Sequence, residues 1–271
     1  MQTKLWNKGL AWLGALLLAT AAQAQDTIKI GSTGGGTSAA LEALVPEAKA
    51  AGLNLQIVEF SDWTLPNEAV NNGDIDLNFF QHQAFLNNAI KERGYKLEFV
   101  SLGLLQNIGI YSNKVKSLDQ VPQGAKVGIP NDPVNQGRGL LLLQKAGLIK
   151  LKNGNAVGQT LNDVTENAKK LQFFEIPGPQ LIRSLDDLDL SIVWPSYFKN
   201  AGKPEQASQA LLYSGIDDTF YAMGFVARSD KAKDARITKF VQLYQNSSKV
   251  RDAIAGQFNN DPKLYTLPWK R

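Results

Sequence analysis

Thr27-Ile28-Lys29-Ile30-Gly31-Ser32 is followed by Gly34-Gly35-Gly36-Thr37-Ser38, an Ala/Leu-rich run from Ala39 to Ala51, Gly52, and then Leu55 to Phe60. The first segment alternates apolar and polar residues, as a half-buried strand does. The run after the glycines predicts a helix, with Thr37 or Ser38 as its cap and Gly52 as its end. Leu55–Phe60 predicts a second strand. Strand, helix, strand at this spacing is a βαβ unit, which implies parallel pairing and a right-handed crossover. The glycine loop lacks the Lys of a phosphate-cradling loop and does not follow Gly-x-Gly-x-x-Gly, so it argues against nucleotide binding. Free amides at that helix start could still take a carboxylate or a water.

The alternation continues outward. A helix is expected over Ala84–Arg93, closed by Gly94, then strands over Leu97–Leu102 and Ile108–Ser112. Ser117–Pro122 reads as a short helical turn and Ala125–Ile129 as a strand. Pro130-Asn131-Asp132-Pro133 starts a helix over Val134–Ala146, with Gly147 beyond its end. Strands are expected at Leu171–Ile176, Leu190–Val193 and Ala222–Ala227. Leu181–Leu185 reads as the first turns of a helix, and helices are expected at Ile237–Gln245 and Lys249–Phe258. No repeat or low-complexity linker interrupts the pattern. The class is α/β. The length suits two lobes that exchange strands, with crossings near Tyr111–Lys116 and Leu211–Phe220 and a cleft at the hinge. Residues 25–112 and 218–271 would form one lobe and 113–217 the other.

The chain start gives the compartment. Lys4 and Lys8 precede an apolar run from Leu10 to Thr20, and Ala22-Gln23-Ala24 is a small-x-small cleavage site. This reads as a secretory signal over residues 1–24; an uncleaved anchor is the alternative. The formal charge is +4, and removing Lys4 and Lys8 leaves about +2, too little for a nucleic-acid footprint. There is no cysteine. Disulfides, thiolate catalysis, Cys-ligated metal and a lipid anchor on a cysteine therefore have no residue to use. With one histidine and no Gly-x-Ser-x-Gly elbow, a hydrolytic triad has little material. No metal and no cofactor is expected.

Asp62-Trp63-Thr64-Leu65-Pro66-Asn67-Glu68-Ala69-Val70 runs into Gly73-Asp74-Ile75-Asp76-Leu77-Asn78-Phe79-Phe80-Gln81-His82. Aromatic rings, amides and the single histidine crowd between a strand and a helix, where α/β proteins bind ligands. Trp63, Phe80 and His82 are candidates for a cleft; plain core packing is the alternative. Arg138 lies in the first turns of its helix, where a guanidinium can hold a carboxylate bidentately. Pairing at the surface with Asp132 would explain it equally well.

These stretches also carry a resemblance. Trp63–Ala69 with Gly73–His82, Tyr111–Leu118, Ile129–Arg138 through Leu148–Lys152, and Pro179–Asp187 resemble the NlpA/MetQ family of substrate-binding proteins of methionine ABC importers, over nearly the whole chain after the signal. The resemblance implies a type II periplasmic-binding-protein fold. It implies that Arg138 holds the ligand carboxylate, with Asn135 in the same motif, and that Trp63, Phe80 and His82 wall the ligand's side chain. Three positions depart from the family pattern. Gln106 stands for a tyrosine, and Trp194 and Met223 for two asparagines that grip the ligand's amino and carboxylate groups. Methionine is therefore not taken as the default ligand. A small carboxylate with altered or absent amine chemistry is expected, its apolar or aromatic body stacked between Trp63 and Trp194; a cationic headgroup over the indoles is the weaker option. The expected partners are that ligand and an inner-membrane ABC permease with its ATPase. Nucleic acid is not expected. A soluble periplasmic monomer is expected, acting by lobe closure. The rival readings are a ligand sensor for a membrane receptor and an enzyme on the same fold.

Overall fold

The computed structural model describes residues 26–270, so the signal-peptide reading of residues 1–24 lies outside the described residues. In chain order the first half holds β1 (Asp26–Ser32), α1 (Gly35–Ala50), β2 (Leu53–Glu59), α2 (Leu65–Asn72), β3 (Leu77–His82), α3 (Gln83–Arg93) and β4 (Leu97–Gln106). Next come β5 (Gly109–Tyr111), β6 (Lys126–Pro130), α4 (Pro133–Lys145), β7 (Lys150–Leu151), β8 (Val164–Glu166), β9 (Gln172–Ile176), β10 (Leu190–Val193), α5 (Ser196–Asn200) and β11 (Leu212–Tyr213). The chain closes with β12 (Met223–Arg228), α6 (Ala235–Asn246), α7 (Ser248–Gln257) and β13 (Tyr265–Thr266).

Two mixed sheets result. One has the order β13-β4-β12-β3-β1-β2 and the other β11-β5-β10-β6-β9. β1 pairs with β2 in parallel along its whole length, as the opening βαβ unit requires. β5 pairs with β10 and β11. The chain therefore leaves the first sheet at Asn107–Ile108, before the expected crossing at Tyr111–Lys116, and residues 109–112 do not stay with the first lobe. β4 runs on to Gln106, past its expected end at Leu102, and the strand that follows it, β5, belongs to the second sheet. The chain returns to the first sheet between β11 and β12.

Asn107 ties the two crossings together. Its Oδ1 accepts from Gly215 N at 2.6 Å and from Ser214 Oγ at 3.1 Å, and its Nδ2 donates to Lys263 O at 2.6 Å.

Local chemistry explains most boundaries. α1 begins inside the glycine loop rather than at Ala39. Its N-cap is Gly34 at φ +81°, and no side chain caps it. Thr37 instead donates to Gly34 O, and Ser38 Oγ accepts from Gly34 N, which folds the loop onto itself. α3 ends at Gly94 in the left-handed region, where glycine carries no Cβ penalty. Asp132 caps α4 by accepting from Asn135 N, so it is not a partner for Arg138. The segment around Leu181–Leu185 makes only short 3-10 turns rather than a helix.

The core of the first sheet is Ile28, Ile30, Leu77, Phe79 and Phe225, roofed by Leu41 and Leu44 of α1 and by Phe240 and Tyr244 of α6. The second sheet buries Val127, Ile129, Leu190 and Ile192 against Leu140 and Leu143 of α4. The parallel strands of each sheet end toward the other sheet, so their loops meet in a cleft.

Candidate functional site

β1 ends at Ser32, β3 at His82 and β4 at Gln106, while antiparallel β12 starts at Met223 on that same edge. From the second sheet, α4 follows β6 and carries Asn135 and Arg138, and Trp194 follows β10. Trp63, Phe80, His82, Gln106, Asn135, Arg138, Trp194 and Met223 all line one cavity between the two sheets. The eight residues singled out from the sequence are thus brought together. The space among the lining atoms, mouth included, is about 520 Å³, of which about 30 Å³ admits the centre of a water molecule.

Arg138 is 6% exposed. Its Nη2 donates to Gln106 O at 3.3 Å and, at the limit of hydrogen-bond range, to Ser214 Oγ at 3.5 Å. Its guanidinium lies 4.4 Å from the centre of the Tyr221 ring, a cation–π arrangement. Among the described residues no carboxylate forms an ion pair with it. Burial pulls its pKa down to about 10, against the opposing pull of Tyr221 and Asp218, and the group stays charged at neutral pH.

His82 is fully engaged. Its Nδ1 accepts from Phe85 N at 3.2 Å and its Nε2 faces Asn135 Oδ1 at 3.2 Å, so Nε2 carries the proton and donates. Burial first, and Arg138 second, push its pKa down to about 3. The imidazole is a neutral tie from one sheet to the other. Asn135 Nδ2 is held in turn by both oxygens of Asp132. Burial raises the Asp132 carboxyl, and the Asn135 backbone and side-chain bonds oppose that rise.

The indoles do not leave a slot for a ring. Trp63 and Trp194 meet edge to face with centroids 5.0 Å apart at 84°, so a ligand body stacked between them is not what this geometry offers. They form one wall instead. Trp63 also sits on Gly178 of the second lobe, where an added Cβ would come within 2.0 Å of its Cη2.

Among the described residues three buried side-chain polar atoms lack a hydrogen bond, and all belong to lining residues: Trp63 Nε1, Gln106 Oε1 and Tyr221 Oη. The Trp63 N–H does feel the Tyr197 hydroxyl, whose pKa is raised by burial and held back by Trp63 and Thr33, but no bond of normal geometry forms. Gln106 Nε2 has only the Met223 sulfur, at 3.9 Å. Buried polar atoms without partners are uncommon in proteins, and three around one space mark it as a place for a polar guest.

Sequence reading missed Tyr221, Phe85 and Tyr197, which line the cavity, and offered the glycine loop, whose Thr33, Gly34 and Thr37 also line it, only for its free amides. Tyr221 was findable. It lies two residues before Met223, at the same sheet edge, and an aromatic just before a strand follows the logic that singled out Trp63. Its ring stands edge-on to His82 at 5.2 Å. Phe85, in the first turn of α3, packs edge-on to Trp63, Phe80 and His82. No group of acidic or imidazole side chains that could hold a metal occurs among the described residues, nor any helix long and apolar enough to cross a membrane.

The NlpA lipoprotein family model matches residues 28–264. The D-methionine-binding lipoprotein MetQ of Yersinia pestis is 43% identical over 240 residues, covering 88% of each chain. The crystal structure of a methionine-binding protein, MetQ, superposes with a TM-score of 0.81 at 42% identity, covering 86% of this chain and 95% of that one. A nutrient-binding protein from Burkholderia cenocepacia bound to methionine gives 0.80 at 38% identity, covering 86% and 97%.

Proposed function

The chain belongs to the NlpA lipoprotein family, and from that premise we propose that it is the solute-capturing component of an ABC importer, taking methionine or a related small carboxylate between its two lobes. The reading is of a binding protein, as its relatives are named, and not of an enzyme. One observation carries the ligand class. Arg138 is a buried guanidinium on the cavity wall, and among the described residues no carboxylate is paired to it. A buried charge is costly unless it is paired, so an anion arriving from outside supplies what the fold leaves out. Trp63, Phe80, Phe85 and Met223 offer an apolar, thioether-tolerant lining for the rest of the solute.

The mechanism is lobe closure. Trp63, Phe80, His82 and Gln106 come from one sheet's side and Asn135, Arg138 and Trp194 from the other, so a ligand meets the full set only when the lobes are shut, and its contacts shift the balance toward that state. The pocket is proposed to differ from the family's usual one at Gln106, Trp194 and Met223, and the position of all three on the cavity wall supports this. The protein is proposed to work in the periplasm beside an inner-membrane permease and its ATPase. The absence of any cysteine supports a freely diffusing form rather than a lipid-anchored one.

A thermal-shift screen of L- and D-methionine and other small carboxylates, followed by calorimetry, tests this. At least one carboxylate should raise the melting temperature by mass action. Arg138→Met should cost that ligand at least about 2 kcal/mol, roughly thirtyfold in Kd. No shift with any carboxylate, or an unchanged Kd in the variant, removes the assignment.

A further inference from the structure

We propose that the cavity selects a carboxylic acid whose neighbouring carbon bears an uncharged hydrogen-bond donor, a 2-hydroxy acid, over the matching zwitterionic amino acid, and that Gln106 reads this substituent. The inference rests on the reading above, that a small carboxylate with a methionine-like tail fills the site.

The argument is one of charge and donor counting. The residues lining the cavity include one charged group, Arg138, and no carboxylate. His82 is neutral by its hydrogen bonds, accepting at Nδ1 and donating at Nε2. A guest's carboxylate therefore neutralises the site, whereas a zwitterion restores a net positive charge in a closed, low-dielectric space.

The carboxylates nearby do not reach in. Asp132 lies behind Asn135 and is bound by its backbone and side-chain amides. Asp218 caps the turn before Tyr221, accepts from Phe220 N, and lines the adjoining groove on the far side of Arg138 and Tyr221. Glu59 stands outside Gly34 as an exposed residue.

The unpartnered atoms point the same way. Trp63 Nε1 is a donor, and Tyr221 Oη, next to the Arg138 cation, is best used as one. Both suit a carboxylate. Gln106 Oε1 is the one unpartnered buried side-chain acceptor that is not a hydroxyl among the described residues. An ammonium brings three N–H donors and needs acceptors for each, whereas a hydroxyl brings one. One acceptor satisfies the second and strands two donors of the first. Gln106 sits at the end of β4, 6% exposed, with its backbone oxygen bound to Arg138, so its side chain is held beside the anion site.

Calorimetry on the whole protein at neutral pH separates the cases. The probes are both enantiomers of methionine and both enantiomers of its hydroxy analogue, in which a hydroxyl replaces the ammonium. One hydroxy acid should bind at least about tenfold tighter than either methionine. If a methionine binds as tightly as the better hydroxy acid or tighter, the charge preference is wrong while the binding-protein reading stands. If none of the four binds, the methionine-like tail is wrong and this inference falls, while the carboxylate reading itself is decided by the wider screen above. Gln106→Glu supplies the missing negative charge at the same spot and should move the ratio toward methionine by at least about tenfold. An unmoved ratio in that variant, folded by its melting curve, takes Gln106 out of the assignment.

Discussion

Arg138 and His82 sit side by side and are managed in opposite ways. The arginine stays charged without a protein carboxylate, so it costs folding energy that only a bound anion returns. Arg138→Met, which keeps the volume and drops the charge, should leave the ligand-free protein no less stable in urea while it loses affinity; a fall of more than about 1 kcal/mol would mean the guanidinium is structural. The histidine avoids charge altogether. It takes up a proton near pH 6.5 in the unfolded chain and only near 3 in the fold. Above pH 6.5 both states are neutral and its contribution is complete. As pH falls from 6.5 toward 3, the unfolded chain gains a proton that the fold refuses, and stability drops by about 1.4 kcal/mol per pH unit. His82→Gln should lose this part of the slope, so urea midpoints taken at neutral pH and near pH 4.5 should differ less in the variant than in the parent. Equal slopes would mean that His82 titrates freely in the folded protein.

β3 and α2 are among the elements that the sequence concealed, with the short β7, β8, α5, β11 and β13. All six residues of Leu77–His82 are buried, so neither face carries the polar alternation that marks a strand, and Asn78 and Gln81 in the middle look like loop residues. Their amides are satisfied in the interior. Asn67 of α2 donates to Gln81 Oε1 at 2.9 Å and accepts from Asn78 Nδ2 at 2.9 Å, while Gln81 Nε2 donates to Asn78 Oδ1 at 2.9 Å. This closed set pins α2 to β3 and fixes Phe80 and His82 at the strand's end. Asn67→Ala leaves two buried amides short of partners and should destabilise by about 2 kcal/mol or more, read from the urea midpoint; a loss below about 0.5 kcal/mol would argue that water replaces the missing amide. By contrast α3, α4, α6, α7 and β10 were legible to within about two residues, because each has a cap, a glycine stop or a clear apolar stripe. The site was legible for its cation and for most of its aromatics. Tyr221 was not, because a short 3-10 turn carries no periodicity to read.

At the scale of the molecule the question is what lets the two lobes meet. Contacts between them include His82 with Asn135, Arg138 with the Gln106 carbonyl, Gly35 against Ser196, Gln257 with the Ser196 carbonyl and Asn200, and, last, Trp63 on Gly178 and Trp194. The last is the most easily tested, because it depends on a missing side chain. Gly178 is buried and has no positive φ, so its backbone conformation does not call for glycine. What calls for it is the Trp63 ring, whose Cη2, Cζ3 and Cζ2 would lie 2.0, 2.3 and 2.5 Å from a Cβ at this position. A methyl there touches the other lobe's indole and should hold the jaws apart while leaving each lobe's own core intact. Gly178→Ala should therefore lower ligand affinity tenfold or more, since closure losing about 1.4 kcal/mol costs a factor of about ten. Small-angle scattering in the presence of ligand should report a more open particle, and the urea midpoint without ligand should change little. Adding Trp63→Ala to that variant removes the clash, and the double variant should then bind no worse than Trp63→Ala alone. If Gly178→Ala binds and scatters like the parent, the indole's seat on the second lobe is incidental to closure, and the hydrogen bonds between the lobes carry it.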